Sequence, residues 1–556
     1  MHLHAAALLV LAPAISAADW TNSGGNPGRN GLTPEVGPEA PTPLWNGSRS
    51  SIIAWQPVIE GSRVFLVRQL AFPPESTGSP LVCQDLDTGA ELWATHLPAN
   101  AGDWTTWIAG VAHGRVYASR SGNGASVSAK LFCLDAASGA VLWQSVETQN
   151  GGAYDGVVFA PNGDPVVASF QRIWRFDHLT GATVWSTPRV GSVSGNCGGA
   201  IHGGALYVAD AVVGGHAIKR FDLATGAFQY QGPTMAGFTI QTTPMVAPGG
   251  NIYLSRVQNN AAVDFFYAFQ DSGTAITQAW SRAAGYSYAS EFGVGPDGSV
   301  YMLTPASTIE RLDPATGATL HTSPVLVADT WAPRIGVDAL GRVFLSNGGF
   351  SNGRLWSFDA DLVQRWSVAV TNVNIGAPAI GRDGTLVVAG VGTNVRAYRT
   401  TPSFQSAFCF GDGSGTACPC GNSGASGRGC ANSVSASGAL LAASGGASLS
   451  NDTLILAGAG MPNSSALYFQ GTTQVAAPFG DGLRCAGGTV IRLGTRSNAG
   501  GASSYPLAGE APVSVRGFVP SAGSQRTYQV WYRNAADFCT PSTFNLSNGL
   551  AIAWQA

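Results

Sequence analysis

A chain of 556 residues is longer than one small hydrophobic core serves, so at least two folding units are expected. Only 11% of the residues are charged while 73 are Gly and 10% are aromatic, a balance that suits short strands joined by Gly turns and disfavours helical bundles. The formal net charge of −3 excludes the basic excess that electrostatic nucleic-acid binding or a polybasic membrane patch requires.

Residues 1–18 place an apolar stretch from Ala5 to Leu11 ahead of Pro13 and the small residues Ser16, Ala17 and Ala18, the pattern of a cleaved secretory signal, although no Lys or Arg precedes it. Cleavage after Ala17 or Ala18 is expected, and no Cys follows to carry a lipid. No later apolar run approaches the ~18 residues of a transmembrane helix. The mature protein is therefore expected to be secreted, in the periplasm, outside the cell or at its surface, with no membrane span.

From about residue 44 one phrase recurs. It reads CQDLDTGAELW up to Trp93, FCLDAASGAVLW up to Trp143 and WRFDHLTGATVW up to Trp185, with further copies ending at Tyr230, Trp280, His321 and Trp366. The end points lie 41 to 50 residues apart, the period of a four-stranded propeller blade. Each copy predicts a strand, a tight turn made by Asp and Thr-Gly or Ser-Gly, and a returning strand closed by an aromatic. Runs such as VIEGSRVFLV, AIHGGALYVA and GVGPDGSVYML supply a second hairpin upstream. After the seventh phrase, PAIGRDGTLVVAGVGTNVRAY offers three strands and stops at Tyr398. The orphan PTPLWNGS around Trp45 offers the fourth. Joining the two ends predicts an eight-bladed ring with no open sheet edge.

In such a ring the first strand of each blade lines the axis. The pattern places Gln56, Ile108, Asp155, Gly198, Thr243, Glu291, Arg334 and Ala377 at one level near one mouth. Trp55, Trp107, Tyr154 and Cys197 precede the first four of these positions, and Tyr288 and Trp331 stand a few residues ahead of later ones. An aromatic rim with two acids and one Arg suits a peptide segment or a sugar, so Trp55, Gln56, Trp107, Tyr154, Asp155, Glu291, Trp331 and Arg334 are the candidate ligand residues. The alternative use of these aromatics is packing between blades. Cys83 and Cys133 hold equivalent places in consecutive repeats, on backbones expected to be too far apart for a bridge, and are expected buried and reduced.

Residues 401–407 read as a linker, and 408–556 as a module of different composition. Its strand-like runs include DTLILAG, SALYFQG, TVIRLGT, PVSVRGF and RTYQVWYRN, separated by Gly, Pro or Asn, which predicts a small β-sandwich. Cys409, Cys418, Cys420, Cys430, Cys485 and Cys539 crowd into it. In an exported chain they are expected as disulfides; six allow fifteen pairings, and the sequence does not choose among them. Asp412, Asp452 and Asp481 fall in turns, where solvated carboxylates are commoner than calcium ligands.

The repeat resembles that of the pyrroloquinoline-quinone (PQQ) repeat propellers, a group that contains quinoprotein alcohol dehydrogenases and a propeller lipoprotein of outer-membrane protein assembly. The likeness spans residues 19–400, including the opening DWTNSGGNPGRNGLTP. The tail, from FCFGDGSGTACPCGNSG to FCTPSTFNLSNGL, resembles a module attached to varied bacterial secreted proteins. The implied fold is all-β: an eight-bladed quinoprotein-like propeller followed by a small disulfide-rich sandwich. Dehydrogenases of the group hold PQQ under an adjacent Cys-Cys disulfide and above a Trp, with Glu, Asn and Asp around calcium. This sequence contains no Cys-Cys pair, no haem-attachment run and no His-Glu-x-x-His. The expectation is a non-catalytic binding or scaffold protein with no cofactor and no metal, recognising an extracellular or periplasmic protein or carbohydrate. The alternative is a PQQ-dependent oxidoreductase of alcohols or sugars, with calcium.

Overall fold

The computed structural model describes residues 19–53, 55–71, 80–98, 103, 105–121, 129–148, 156–190, 198–236, 243–256, 264–284, 292–326, 334–347, 353–370, 377–400 and 405–555. The chain divides into two compact units, one ending at Thr400 and one beginning at Thr401.

In the first unit, seven antiparallel sheets follow one another along the chain, at residues 58–95, 105–144, 158–188, 199–231, 245–284, 292–322 and 334–369. The eighth joins Ala379–Gly381, Thr385–Ala389 and Val395–Tyr398 to the amino-terminal strand Pro43–Asn46, with Trp45 opposite Ala397. The predicted shared blade is therefore present. Blades are numbered here in that order, the shared one being blade 8. At its seam with blade 1, Asp87 accepts from Arg382 and Arg399, each at 2.6 Å. Burial raises the Asp87 carboxyl, but the two guanidiniums outweigh it and hold it below the ordinary carboxylate range.

The repeated phrase builds one joint again and again. In blade 2 the Asp135 carboxylate accepts the Ala137 N–H, the Ser138 N–H and the Ser138 hydroxyl at 2.7 to 3.1 Å. Gly139 then takes φ +72°, a conformation Gly reaches at little cost, and its missing side chain leaves a flat floor. The Trp93 ring of blade 1 lies on that floor, and a Cβ at Gly139 would come within 2.6 Å of it. The indole N–H donates to Ala136 O at 3.0 Å. The same docking recurs for Trp45 on Leu86 O, Trp143 on His178 O, Trp185 on Leu223 O and Trp280 on Pro314 O, at 2.8 to 3.1 Å. Blades 5 and 7 lack the Asp-x-x-Thr-Gly turn, and the residues facing them are not Trp. Tyr230 instead donates its hydroxyl to the Asp271 carboxylate at 2.6 Å, and His321 lies 3.2 Å from Asp361.

Cys83 and Cys133 are buried and free, opposite Trp93 and Trp143 in the strand pairing. Burial pushes their thiols up to about 12 and about 11, so neither is a reactive thiolate. Cys197 lies outside the described residues.

The second unit packs a sheet of Gln405–Phe408, Gly549–Ala553, Gln525–Arg533, Ser465–Gly471 and Ile491–Ser497, with Phe544–Leu546 added at one end, against a three-stranded sheet. Tyr468, Tyr528, Val530, Leu550 and Trp554 fill the space between. Of three disulfides, Cys409–Cys485 and Cys420–Cys539 tie the loop-rich lead-in to the rest of the unit and Cys418–Cys430 closes a loop within it, with Cα separations of 5.7 to 6.0 Å. Asp412, Asp452 and Asp481 each accept backbone N–H groups of neighbouring loops.

Trp93→Ala removes a ring and an indole donor from a closed joint and is expected to cost ~3–5 kcal/mol. His321→Ala, at a joint whose side chain is 42% exposed, should cost far less. Urea denaturation of the two variants checks this; equal midpoints would contradict the docking account.

Candidate functional site

The axial face of every inner strand is a sheet edge with unpaired N–H and C=O groups. The opening segment, residues 20–37, answers this need. Trp20 pairs both ways with Ile59 of blade 1 at 2.9 Å, and Val111 of blade 2 donates to Thr21 O at 2.8 Å. Ile201, Val246, Val294 and Val337 of blades 4 to 7 donate in turn to Pro27, Gly28, Asn30 and Gly31 carbonyls at 2.7 to 2.9 Å. The segment thus winds once past the blades in their own order. Each of these inner-strand residues lies three positions after the start position assigned from the sequence pattern.

Side chains complete the turn. Arg29 is buried and spreads its guanidinium over Gly199 O at 2.8 Å, Ser23 O at 2.9 Å and Gly156 O at 3.0 Å, which reaches blade 3. Asn30 donates to Val246 O at 2.9 Å and accepts from Asn26 at 2.7 Å. Glu35 accepts the Gly384 N–H of blade 8 at 3.2 Å. Buried Asp338 accepts the Gly37 N–H at 3.0 Å; burial raises its carboxyl, against the N–H groups of Arg342, Gly37 and Leu340. Gly31 sits at φ +69°, and a Cβ there would come within 2.5 Å of Ile335 O.

Among the candidate ligand residues, Trp55, Gln56 and Trp107 hold the ring together. Trp55 is 6% exposed and donates its indole N–H to Thr105 Oγ1 of blade 2 at 3.1 Å. Trp107 is 3% exposed and packs in the same cluster. Gln56 donates to Pro378 O at 2.9 Å and accepts the Gly24 N–H at 3.3 Å, so it links blade 1 to blade 8 and to the opening segment. Arg334 begins the inner strand Arg334–Val337 of blade 7. Tyr154, Asp155, Glu291 and Trp331 lie outside the described residues. So does a Gly-x-Ser-x-Gly run at 349–353, of which only Gly353 is described; it joins two antiparallel strands of blade 7 and not a strand to a helix, the setting a hydrolase nucleophile needs.

Sequence reasoning missed Arg29, Asn30, Asn26 and Glu35. Their one signal was an Arg and two Asn side chains set among glycines in a segment with no apolar period, a composition that reads as loop.

The propeller's described cysteines are buried on separate blades and cannot form an adjacent pair, and Trp55 and Trp107 are enclosed between blades.

Eight four-stranded blades, five of them carrying an Asp-x-x-Thr/Ser-Gly turn on which a tryptophan of the preceding blade docks, define the first unit as a β-propeller. Residues 78–323 match the PQQ-repeat family described as outer membrane protein assembly factor BamB. No curated protein matches the chain. Among solved structures it is similar to quinohemoprotein alcohol dehydrogenase from Comamonas testosteroni at 13% identity, covering 68% of this chain and 80% of that one with a TM-score of 0.48. It is similar to quinohemoprotein alcohol dehydrogenase ADHIIG from Pseudomonas putida at 13% identity, covering 67% and 76% with a TM-score of 0.46. BamB from Moraxella catarrhalis is 14% identical over 64% of this chain and 97% of its own, with a TM-score of 0.43.

Arg29→Met leaves two inner-strand carbonyls without their charged donor and is expected to cost about 2–4 kcal/mol. Arg29→Lys should not restore it, because one ammonium cannot span three carbonyls held for a planar fork. Chemical denaturation checks both; a native midpoint for Arg29→Met would show that the opening segment is not anchored as described.

Proposed function

We propose that the protein is an exported, non-catalytic binding or scaffold protein whose propeller presents one axial face to a protein or carbohydrate ligand. The carrying observation is how the axis is used. Along the axis, at Ile59, Val111, Ile201, Val246, Val294 and Val337, the chain's own opening segment occupies hydrogen-bonding groups of the inner strands. Recognition then falls to side chains at the mouth where the inner strands begin. By the sequence pattern the ligand residues are Tyr154, Asp155, Glu291, Trp331 and Arg334, two aromatics with two acids and a cation, while Trp55, Gln56 and Trp107 are engaged within the frame of the ring.

Three disulfides and the lack of any described helix long and apolar enough to cross a membrane fit an extracellular or periplasmic location. A rigid ring is a sensible platform there. It needs no redox group, and the enclosed tryptophans and separated thiols support a reading without quinone chemistry.

The test is to add PQQ and calcium to the purified full-length protein. The expected result is no rise in melting temperature, no change in quinone absorbance and no dye reduction with ethanol or glucose. Quinone-dependent dye reduction would overturn the proposal in favour of an oxidoreductase.

A further inference from the structure

The second unit carries a cavity of about 570 Å³ that nothing above uses. It opens on the face of the larger sheet turned away from the Tyr468 and Tyr528 core. Side chains alternate along a strand, so in Ser465–Gly471 and Gln525–Arg533 the residues Leu467 and Trp531 point to this second face. Phe469, two residues after Leu467, lies on it as well, and a bulge that leaves Leu493 of the edge strand unpaired sets Arg492 opposite Phe469. The hairpin Thr473–Phe479 and Gly482–Gly487 supplies Phe479 and Arg484, and the edge strand Ile491–Ser497 supplies Arg492.

Two properties of this groove stand together. The first is an aromatic platform: Phe479 is 44% exposed and lies 4.9 Å from Phe544 between ring centroids, and half-buried Trp531 lies 5.4 Å from the same ring with the Arg533 guanidinium 5.3 Å from its own. The second is uncompensated positive charge. Arg492 is exposed and has no hydrogen-bond or ion-pair partner among the described residues. Arg484 directs its Nε to Ala486 O at 3.1 Å, and no bond of its terminal nitrogens is recorded among the described residues. No Asp or Glu lines the cavity. Residues 401–556 contain seven Arg, no Lys and five acids, and four of those acids are engaged elsewhere: Glu510 with Arg496, and Asp412, Asp452 and Asp481 with loop N–H groups.

We propose that this groove binds an acidic polysaccharide, with pyranuronate faces on Trp531 and Phe479 and carboxylates on Arg492 and Arg484. A uronate presents a C–H face and a carboxylate on one rigid ring, which matches an apolar floor flanked by guanidinium forks. A neutral sugar leaves both cations unmatched. Acidic peptide side chains carry their charge on flexible stems without a flat apolar face and lose more entropy on ordering. The site belongs to the second unit and stands whatever the propeller binds.

The experiment titrates the full-length protein with tetragalacturonate, cellotetraose and hexaglutamate, following heat and Trp fluorescence. Saturable binding of tetragalacturonate is expected, weakened by salt, with cellotetraose and hexaglutamate at least about tenfold weaker. Arg492→Gln and Arg484→Gln should each lower tetragalacturonate affinity by about tenfold while the melting temperature is unchanged, the loss of one charge-assisted contact. No saturable tetragalacturonate binding, equal binding of cellotetraose, or full affinity in both variants would overturn the proposal. Hexaglutamate binding as tightly as tetragalacturonate would overturn it in favour of a peptide groove.

Discussion

The propeller depends on hydrogen bonds between its amino-terminal segment and the innermost strands. A ring of sheets has two unsolved edges: the seam where the last blade meets the first, and the axial edge of every inner strand. One stretch of about twenty-five residues addresses both. Residues 20–37 take up backbone groups along the axis, and Pro43–Asn46 supplies the missing fourth strand of blade 8. Blade 8 is thereby stitched from both ends of the unit, and the seam is reinforced by Arg382 and Arg399 on Asp87 and by the Trp45 indole on Leu86 O. Because each hydrogen bond is worth only ~1 kcal/mol net, the effect rests on number and on the cost of leaving so many buried groups unpaired.

The outer joints follow a complementary rule. Wherever a blade carries Asp-x-x-Thr-Gly or Asp-x-x-Ser-Gly, the preceding blade docks a Trp on its Gly; at blades 5 and 7, where that turn is lost, the Trp is lost as well. Asp271-Ser-Gly is faced by Tyr230, and Asp359-Ala-Asp-Leu by His321. Blade 8 has no such turn, and Trp366 of blade 7 packs there against Phe344 and Tyr398, at 6.0 and 6.3 Å between ring centroids. A large flat ring needs a side-chain-free floor and a free carbonyl, and without them a smaller polar residue reaching a carboxylate does the work. The irregular copies of the repeat are thus matched pairs and not decay.

Most of the fold was legible because its signals are local and repeated. The Asp, Thr and Gly of each turn act on one another within five residues, and Trp45 announced a strand in need of a sheet. The cysteine content of the tail was equally plain, but its pairing was not, since Cys409 and Cys485 meet only through the folded sheet. The role of Arg29 and Asn30 was hidden for a different reason: the segment works through backbone groups, which every residue type supplies, and so leaves no periodic trace. Trp55 and Trp107 show the reverse hazard, aromatics near an axis whose rings turn out to fill a core. The groove of the second unit joins residues from six strands and could not be assembled from spacing alone.

The central claim is that residues 20–37 are part of the propeller's hydrogen-bonded frame and not a leader lying on it. Hydrogen exchange read by mass spectrometry addresses this directly, through peptides containing Val111, Ile201, Val246, Val294 and Val337. The account predicts that these amides are as protected as the blade interiors in the intact protein, and that deleting residues 19–37 while keeping the strand at Trp45 makes them exchange rapidly. Loop-like exchange in the intact protein, or unchanged protection after the deletion, would contradict it.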